Sequence, residues 1–251
     1  MSKRKKPRLR TVNKVEAPYP LNRFPKGFAL SIAKEIVFLL ATKGRPSLEG
    51  SEWERIFAGS IGAAWKPSNV GLDDVVLGNT AWGAKTVKSS IKDFTNISKI
   101  RLISGRNSPV FSYGDTVDTD HDPDEVGEKV IDIYNNRVTA IRSRYENLRT
   151  VVLIKSNDLS QVAVYEFDTV MYVPQAFSFK WNSRNNLEGF DKITGEKKFT
   201  WQPHGSQFTI HEQIPNDILI LKIKPPTTID KELVMKAIGF SEDWVTIVNK
   251  P

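Results

Sequence analysis

The residues with the clearest chemical potential in this chain are an acid and a lysine, Asp74 and Lys85, at the two ends of a short segment. Residues 75–77 and 80–85 have the composition of β-strands, and Gly78-Asn79 between them suits a two-residue turn with glycine first. A carboxylate beside an ammonium group can hold a divalent cation and activate water for attack on a phosphodiester. The sequence therefore predicts a β-hairpin that carries hydrolytic chemistry.

The predicted turn also determines which side chains share a face of the hairpin. It places Asp74 opposite Gly83 and Asp73 opposite Ala84, and side chains alternate between the two faces of a strand. Asp74 and Lys85 then lie on the same face, separated diagonally by about 7–8 Å between backbone positions. That gap has room for a metal ion, a phosphate and a water molecule.

An aspartate at the start of one hairpin strand and a lysine near the end of the other resembles the active site of the PD-(D/E)XK nuclease superfamily. The resemblance implies that Asp74 binds Mg²⁺ together with a second acid, and that Lys85 orients or activates the attacking water. Two positions depart from the family pattern: Asp73 replaces the proline, and Gly83 replaces the acid expected two residues before the lysine. The second carboxylate must come from elsewhere, or the site is inactive.

We expect Glu54 to supply the missing acid, because its helix leads directly into the hairpin, and the predicted metal ligands are therefore Asp74 and Glu54. An alternative role for Glu54 is structural, since it follows Ser51 by three residues, as in a helix capping box. Three other acids are available as replacements: Glu35, Glu52 and Asp93.

Two further stretches, residues 122–137 and 198–208, resemble the sequences of bacterial type II restriction endonucleases. This resemblance implies a sequence-specific, Mg²⁺-dependent cutter of double-stranded DNA in the bacterial cytoplasm, acting in restriction-modification. It also implies a homodimer, because a two-fold symmetric DNA site matches a two-fold symmetric protein.

Side chains that suit base recognition are concentrated between residues 181 and 211. Arginine pairs well with guanine edges, and asparagine or glutamine with adenine. A second candidate for contact with DNA is the loop 104–108. The predicted DNA-binding residues are Arg106, Asn107, Asn182, Arg184, Asn185, Gln202, His204, Ser206 and Gln207. The alternative interpretation is that these are polar turn residues among strand aromatics that belong to the core.

Patterns along the chain predict the elements that must position these groups. Apolar periodicity indicates helices over residues 28–42 and 122–145, with another helix starting at residue 51. Residues 104–113 are expected to form an irregular loop, and strands follow from residue 149, including one at 170–173. We expect an α/β (α+β) fold, a restriction-endonuclease-like mixed sheet flanked by helices with a β-rich C-terminal half. Residues 18–251 would form one domain behind a flexible tail, residues 1–17.

The charge of the chain is concentrated in that tail. Residues 1–17 hold seven lysines and arginines against one acid, which accounts for +6 of the formal net charge of +7. Such a tail gives salt-sensitive, sequence-independent affinity for a phosphate backbone, or it serves only as a solubilising terminus or an address signal. The chain has no cysteine, which excludes disulfides and thiolate chemistry, and no apolar run is long enough to span a membrane.

Two other functions compete with the nuclease interpretation. A non-enzymatic, sequence-specific DNA-binding protein on the same fold would carry Gly83 as the mark of a lost active site. A structural or RNA-associated protein would contact nucleic acid through the tail alone, and removal of residues 1–17 would then abolish all binding.

Overall fold

The computed structural model describes residues 15–67 and 71–248, which form α-helices and two β-sheets. The described helices are α1 (Phe28–Lys43), α2 (Gly50–Ile61), α3 (Pro109–Tyr113), α4 (Pro123–Arg142) and α5 (Lys231–Ala237). The first fourteen residues of the predicted basic tail lie outside the described part of the chain. Val15 is attached to the body, since its N–H donates to Glu146 and its carbonyl accepts from Asn147.

The main sheet is mixed and has the strand order β1-β2-β3-β5-β6-β11. Its strands are β1 (Ala64–Trp65), β2 (Val75–Leu77), β3 (Thr80–Lys88), β5 (Asn147–Lys155), β6 (Gln161–Asp168) and β11 (Leu219–Lys222). β3 and β5 are parallel, and all other pairs are antiparallel. Because parallel neighbours need a long crossover, the chain between β3 and β5 has room for α4 and for the first strand of the second sheet.

The predicted hairpin is confirmed with its register. Val75 pairs with Trp82 and Leu77 with Thr80, so that Gly78-Asn79 forms the turn. Gly78 has a φ of 57°, a conformation that glycine adopts without steric cost. Asp74 follows in this register opposite Gly83, as the turn requires.

The second sheet is antiparallel, with the order β4-β10-β9-β8-β7. Its strands are β4 (Lys99–Arg106), β7 (Phe177–Trp181), β8 (Leu187–Asp191), β9 (Lys197–Gln202) and β10 (Gln207–Gln213). The aromatic side chains that alternate along these strands point inward and pack against α4. The polar side chains between them form the outer face.

α4 connects the two sheets, and its apolar face belongs to a core cluster shared by both. Tyr134 and Val138 on the helix pack with Leu148 of β5 and Phe208 of β10. Gly127 is required here, because a Cβ atom at this position would lie 2.3 Å from the ring of Phe179. The opposite face of the main sheet packs against α1 and α2. The main sheet is therefore covered on both faces.

Several local predictions were wrong. α2 begins at Gly50, and its capping box joins Glu49 with Glu52, so Ser51 and Glu54 do not cap it. Residues 104–113 contain the end of β4 and all of α3 instead of an irregular loop, and 170–173 do not form a strand. β8 had no counterpart among the predicted strands, since Gly189 and Asp191 dilute its apolar pattern. Within the described residues, no helix has the length and apolar character needed to cross a membrane.

Candidate functional site

Asp74 and Lys85 meet on the face of the hairpin that looks away from α1 and α2. Lys85 Nζ lies 3.9 Å from Asp74 Oδ2, and the backbone N–H of Ala84 donates to the same oxygen at 3.2 Å. Asp74 is only 3% exposed. The sequence prediction that these two residues share a face is confirmed, and the carboxylate is held in place by the neighbouring strand.

Burial makes both charges expensive at this site. It raises the pKa of Asp74 to about 6, although the ammonium of Lys85 opposes the shift, while the charge of Glu54 adds to it. Burial likewise lowers the pKa of Lys85, against the attraction of Asp74. Such shifts arise where charged forms lose hydration that their neighbours do not fully replace. A cation that replaced this lost hydration would favour the ionised form of Asp74.

Glu54 belongs to the electrostatic environment of the pair. Its side chain accepts a hydrogen bond from Trp65 Nε1 on β1 at 3.1 Å. Its negative charge raises the pKa of both Asp74 and Lys85. Glu52, the other acid of this helix, serves the capping box and an ion pair with Lys43 instead. Of the two acids, Glu54 is the one available to the hairpin.

The glycine at position 83 has a steric cause. A Cβ atom there would lie 3.0 Å from the carbonyl oxygen of Gly71 and 3.1 Å from Cα of Leu72, both of which are backbone atoms. A Cβ atom on Gly71, whose φ is 66°, would in turn lie 3.1 Å from Lys85 Nζ. The segment at Gly71-Leu72 therefore lies against the hairpin where the family pattern has its second acid, and a side chain at position 83 requires this backbone to shift.

Arg137 of α4 is a charged residue near the site that the sequence analysis did not select. Its guanidinium donates to the carbonyl of Ser104 and to Oδ1 of Asn107, both at 3.0 Å. Its positive charge lowers the pKa of Lys85. The only sequence signal was its position on α4, three residues after the inward-facing Tyr134.

The described residues contain no group of three or more histidine, cysteine, aspartate and glutamate side chains placed to hold a metal ion. The candidate carboxylate ligands for a cation at the hairpin are Asp74 and Glu54, since the charge of Glu54 acts on both Asp74 and Lys85. Oxygen ligands of this type suit Mg²⁺, which keeps several waters and often relies on one or two carboxylates and a substrate phosphate.

Three of the predicted DNA-binding residues line one cavity on the outer face of the second sheet: Asn182, Arg184 and Gln202. The cavity has a volume of about 460 Å³. Arg101 and Lys197 also line it, and the sequence analysis selected neither of them. The sequence signal for Arg101 was its place between the apolar residues Ile100 and Leu102, an alternation that puts it on the outer face of β4. Lys197 pairs across the sheet with Phe190 on β8, the strand that the prediction missed.

The pKa of His211, which lines this cavity, reflects the positive charge around it. Burial and the cations Lys197 and Arg101 together lower its pKa to about 4, so it is neutral at physiological pH. Its Nε2 lies 3.0 Å from Oγ1 of Thr200. The one acid in the lining, Glu188, bonds to Lys197 at 3.1 Å. The cavity therefore presents excess positive charge next to neutral hydrogen-bonding groups.

The remaining predicted DNA contacts are scattered. Strand pairing places Arg106 next to Gln207, and Gln207 next to Gln202, in one row across three strands. His204 and Ser206 lie in the turn between β9 and β10, and Asn185 lies in the turn between β7 and β8. These residues are exposed or partly exposed.

Two of the amide side chains have structural tasks. Asn107 is completely buried, where it donates to the carbonyl of Val130 and accepts from Arg137. Its prediction as a DNA contact is corrected, because it does not reach the surface. Asn182 Oδ1 accepts from the backbone N–H groups of Arg184 and Asn186, which shapes the turn. Its amide is already engaged, although it lines the cavity.

Comparison with protein-family models, with curated proteins and with solved structures gave no match.

Proposed function

We propose that this protein is a Mg²⁺-dependent endonuclease that cuts double-stranded DNA at specific sites, as a type II restriction endonuclease does. The observation that carries the proposal is the Asp74–Lys85 pair, a buried carboxylate 3.9 Å from an ammonium at the open end of the hairpin. A buried acid and lysine with opposed pKa shifts, held in fixed geometry, are typical of catalytic sites.

Each residue has a distinct role in the proposed reaction. Asp74 and Glu54 would hold the metal, which when bound stabilises the charge that develops on the phosphate. The N–H of Ala84 fixes one oxygen of Asp74 and leaves the other to the ligand. Because the pKa of Lys85 is lowered, its amine can accept a proton from the attacking water more readily than a solvated lysine.

DNA would be bound by the outer face of the second sheet, with the cavity that Arg101, Arg184 and Lys197 line. Cations at this face can neutralise phosphates, and Gln202 and Gln207 can read base edges. The basic N-terminal residues would add affinity without sequence preference. Two copies of the chain would be needed to cut both strands of a symmetric site.

The proposal is tested by digesting phage and plasmid DNA with Mg²⁺ and with EDTA. Lys85→Ala is compared with Lys88→Ala, which removes the same charge from an exposed position on the same strand. We expect discrete fragments with Mg²⁺ for the natural protein and for Lys88→Ala, and none for Lys85→Ala or Asp74→Ala. Duplex binding should persist in all of them. Cutting by both site variants would refute the assignment.

A second function, specific DNA binding without cleavage, is favoured by one observation. The backbone at Gly71-Leu72 crowds position 83, where the family pattern has its second acid. This alternative predicts sequence-specific binding with or without Mg²⁺ and no nicking of any substrate.

A further inference from the structure

The cavity on the outer face of the second sheet is lined by two kinds of side chain at two depths. Its floor contains Thr200 of β9 and His211 of β10, which are only 4% and 8% exposed. Its rim carries Arg101, Arg184 and Lys197, which are exposed or half-buried. Neutral hydrogen-bonding groups therefore lie at the buried end of the cavity, and cations lie at its open end.

Two of the three cations on the rim are available to a ligand. Within residues 15–67 and 71–248, the guanidinium groups of Arg101 and Arg184 have no ion-pair partner. Lys197 is already engaged, since it donates to Oε1 of Glu188 at 3.1 Å. Glu188 is thus offset by Lys197, and the arginines leave an excess of positive charge. This charge suits a ligand that carries a phosphate group.

One wall of the cavity is the turn between β7 and β8, and its backbone is held by several hydrogen bonds. The N–H of Asn182 donates to the carbonyl of Asn186 at 2.9 Å, and the N–H of Asn185 donates to the carbonyl of Asn182 at 3.0 Å. The side chain of Asn182 accepts from the N–H groups of Arg184 and Asn186. The wall is formed before any ligand binds, which lowers the cost of ordering it on binding.

The floor has hydrogen-bonding capacity that the protein does not use. Oγ1 of Thr200 lies 3.0 Å from Nε2 of His211, and a neutral imidazole keeps one donor and one acceptor. Thr209 pairs with Thr200 across the strands and is 1% exposed. Its hydroxyl has no hydrogen-bond partner in the described part of the chain. Buried polar groups normally have partners, so a polar ligand at this floor would be stabilised.

We propose that this cavity accepts a single nucleotide, with its phosphate at the cations of the rim and the edge of its base at the floor. The cavity volume of about 460 Å³ lies in the range of small-molecule sites and exceeds what a phosphate ion alone would fill. A base in a duplex presents its edge inside a groove, so it must leave the stack to reach side chains that are more than nine-tenths buried. The described lining residues include no aromatic ring, and the planar guanidinium of Arg184 would stack on the base instead.

A nucleotide for this cavity comes either from a DNA strand, turned out of the duplex, or from free nucleotides in solution. The first source is favoured by the row of Arg106, Gln207 and Gln202, because this row crosses three strands and ends at the cavity. The inference rests on the proposed function for DNA as the source. The binding of a nucleotide stands on the cavity and not on the Asp74–Lys85 pair.

The test follows the His211 side chain by NMR in the presence of EDTA. The chain has three histidines, so His121→Gln and His204→Gln assign the remaining signal to His211. The probes are the four 2′-deoxynucleoside 5′-monophosphates, added separately, and inorganic phosphate. We expect saturable shifts of the His211 signal, with one of the four bases preferred and with inorganic phosphate bound much more weakly. The signal of His121, which does not line the cavity, should stay unchanged.

Two substitutions separate the contacts to the base from those to the phosphate. Thr200→Val removes a floor hydroxyl and should abolish the preference among the four bases. Its control is Thr86→Val, at a half-buried position on β3 in the main sheet. Arg184→Ala should weaken binding of all four nucleotides by about tenfold, because it removes a charge-assisted contact to the ligand. Its control is Lys192→Ala, at an exposed position outside the cavity lining, which should change nothing.

Duplex oligonucleotides distinguish the two sources of the nucleotide. One duplex is fully paired, and the other has one unpaired extra nucleotide at its centre. Tighter binding of the second duplex, by about tenfold or more and only with Thr200 present, assigns the cavity to a nucleotide of a DNA strand, since an unpaired base is less costly to turn out. Equal binding of both duplexes, together with saturable binding of a monophosphate, assigns it to a free nucleotide.

Three outcomes would overturn the inference. The first is a His211 signal that none of the four nucleotides shifts. The second is equal affinity for all four nucleotides and for inorganic phosphate, which would make the cavity an anion site that ignores the base. The third is unchanged nucleotide binding in both Thr200→Val and Arg184→Ala.

These results are independent of the test of the nuclease. A protein that binds a nucleotide in the cavity but never cuts DNA refutes the proposed cleavage alone. A protein that cuts DNA while its His211 signal ignores every nucleotide refutes the nucleotide cavity alone.

Discussion

Asp74 is deeply buried, accepts one hydrogen bond from the N–H of Ala84 at 3.2 Å and lies 3.9 Å from Lys85 Nζ, and burial outweighs both partners in setting its pKa. Since burial raises its pKa to about 6, the folded state holds its proton more tightly than the unfolded chain. Ionisation of Asp74 therefore costs stability as pH rises from about 4 to about 6, and the cost stays constant above that range. Charge at the site has been retained at the expense of stability, as in many catalytic sites.

We expect Asp74→Asn to stabilise the metal-free protein above pH 6 and to change nothing below pH 4. The gain should be on the order of 1–3 kcal/mol, because each unit of pKa shift corresponds to about 1.4 kcal/mol. Urea unfolding across this pH range measures it. Asp132→Asn, at an exposed position on α4, is the control and should show no such dependence. A flat difference for Asp74→Asn would show that its pKa is ordinary.

The two acids of α2 can be separated by mutation because the structure gives them different tasks. Glu54→Gln keeps the acceptor for Trp65 Nε1 but removes the charge, so we expect cleavage to be lost with little change in stability. Glu52→Gln removes the ion pair with Lys43 and weakens the capping box, so we expect about 1 kcal/mol of destabilisation with cleavage retained. Parallel melting and digestion assays test both. The reverse pattern would remove Glu54 from the site.

The position of a residue can be predicted from the sequence when its neighbours in space are also close to it along the chain. Asp74 and Lys85 were placed correctly because a two-residue turn fixes the register around them. Asn107 was misjudged because its partners, Val130 and Arg137, come from a helix more than twenty residues away. The asparagine type is the same for a base contact and for a buried bridge, and only the tertiary structure distinguishes them.

At the scale of elements, the backbone of Gly71-Leu72 packs closely against the hairpin at Gly83. We expect Gly83→Ala to destabilise the protein by about 1–3 kcal/mol, because the new methyl group meets backbone atoms of Gly71 and Leu72 that cannot rotate away. Gly83→Glu introduces the acid that the PD-(D/E)XK pattern has at this position. We expect it to destabilise the protein more than Gly83→Ala does and not to increase cleavage. Urea unfolding and the digest measure these effects.

Gly62 is the control for that substitution, because a Cβ atom there meets nothing within 4 Å. Its φ of 68° adds backbone strain to a Gly62→Ala change, so this control reports strain without a clash. A Gly83→Ala protein as stable as the natural one would show that the covering segment is free to shift.

Helices with a strong apolar periodicity were predicted correctly. Strand pairings between segments far apart in the sequence were not predicted. α1 and α4 were found within three residues of their ends, since their apolar faces repeat with helical spacing. The pairing of β4 with β10 joins residues about a hundred positions apart, and no turn signals it. For the same reason the cavity at Arg101 and Lys197 could not be predicted from either strand alone.

At the scale of the whole molecule, the proposed function places DNA binding and cleavage on different sheets, so the two should respond to different substitutions. We expect Arg101→Ala combined with Arg184→Ala to weaken duplex binding and to lower the slope of log affinity against log salt by about two. Anisotropy titrations of labelled DNA in EDTA measure this without cleavage. The control pair, Lys192→Ala with Lys231→Ala, removes two charges outside the cavity and should leave the slope unchanged.

The parallel pairing of β3 with β5 also sets the order in which the protein matures during synthesis. Thr80 pairs with Asn147 and Lys88 with Lys155, so the strand that carries Lys85 has no neighbour on that side until β5 has left the ribosome. At about 5–20 residues per second, several seconds pass between translation of the two strands. A nascent chain carries both Asp74 and Lys85 during that interval but not the sheet that buries them. The Asp74–Lys85 pair therefore reaches its buried geometry only after β5 has been synthesised.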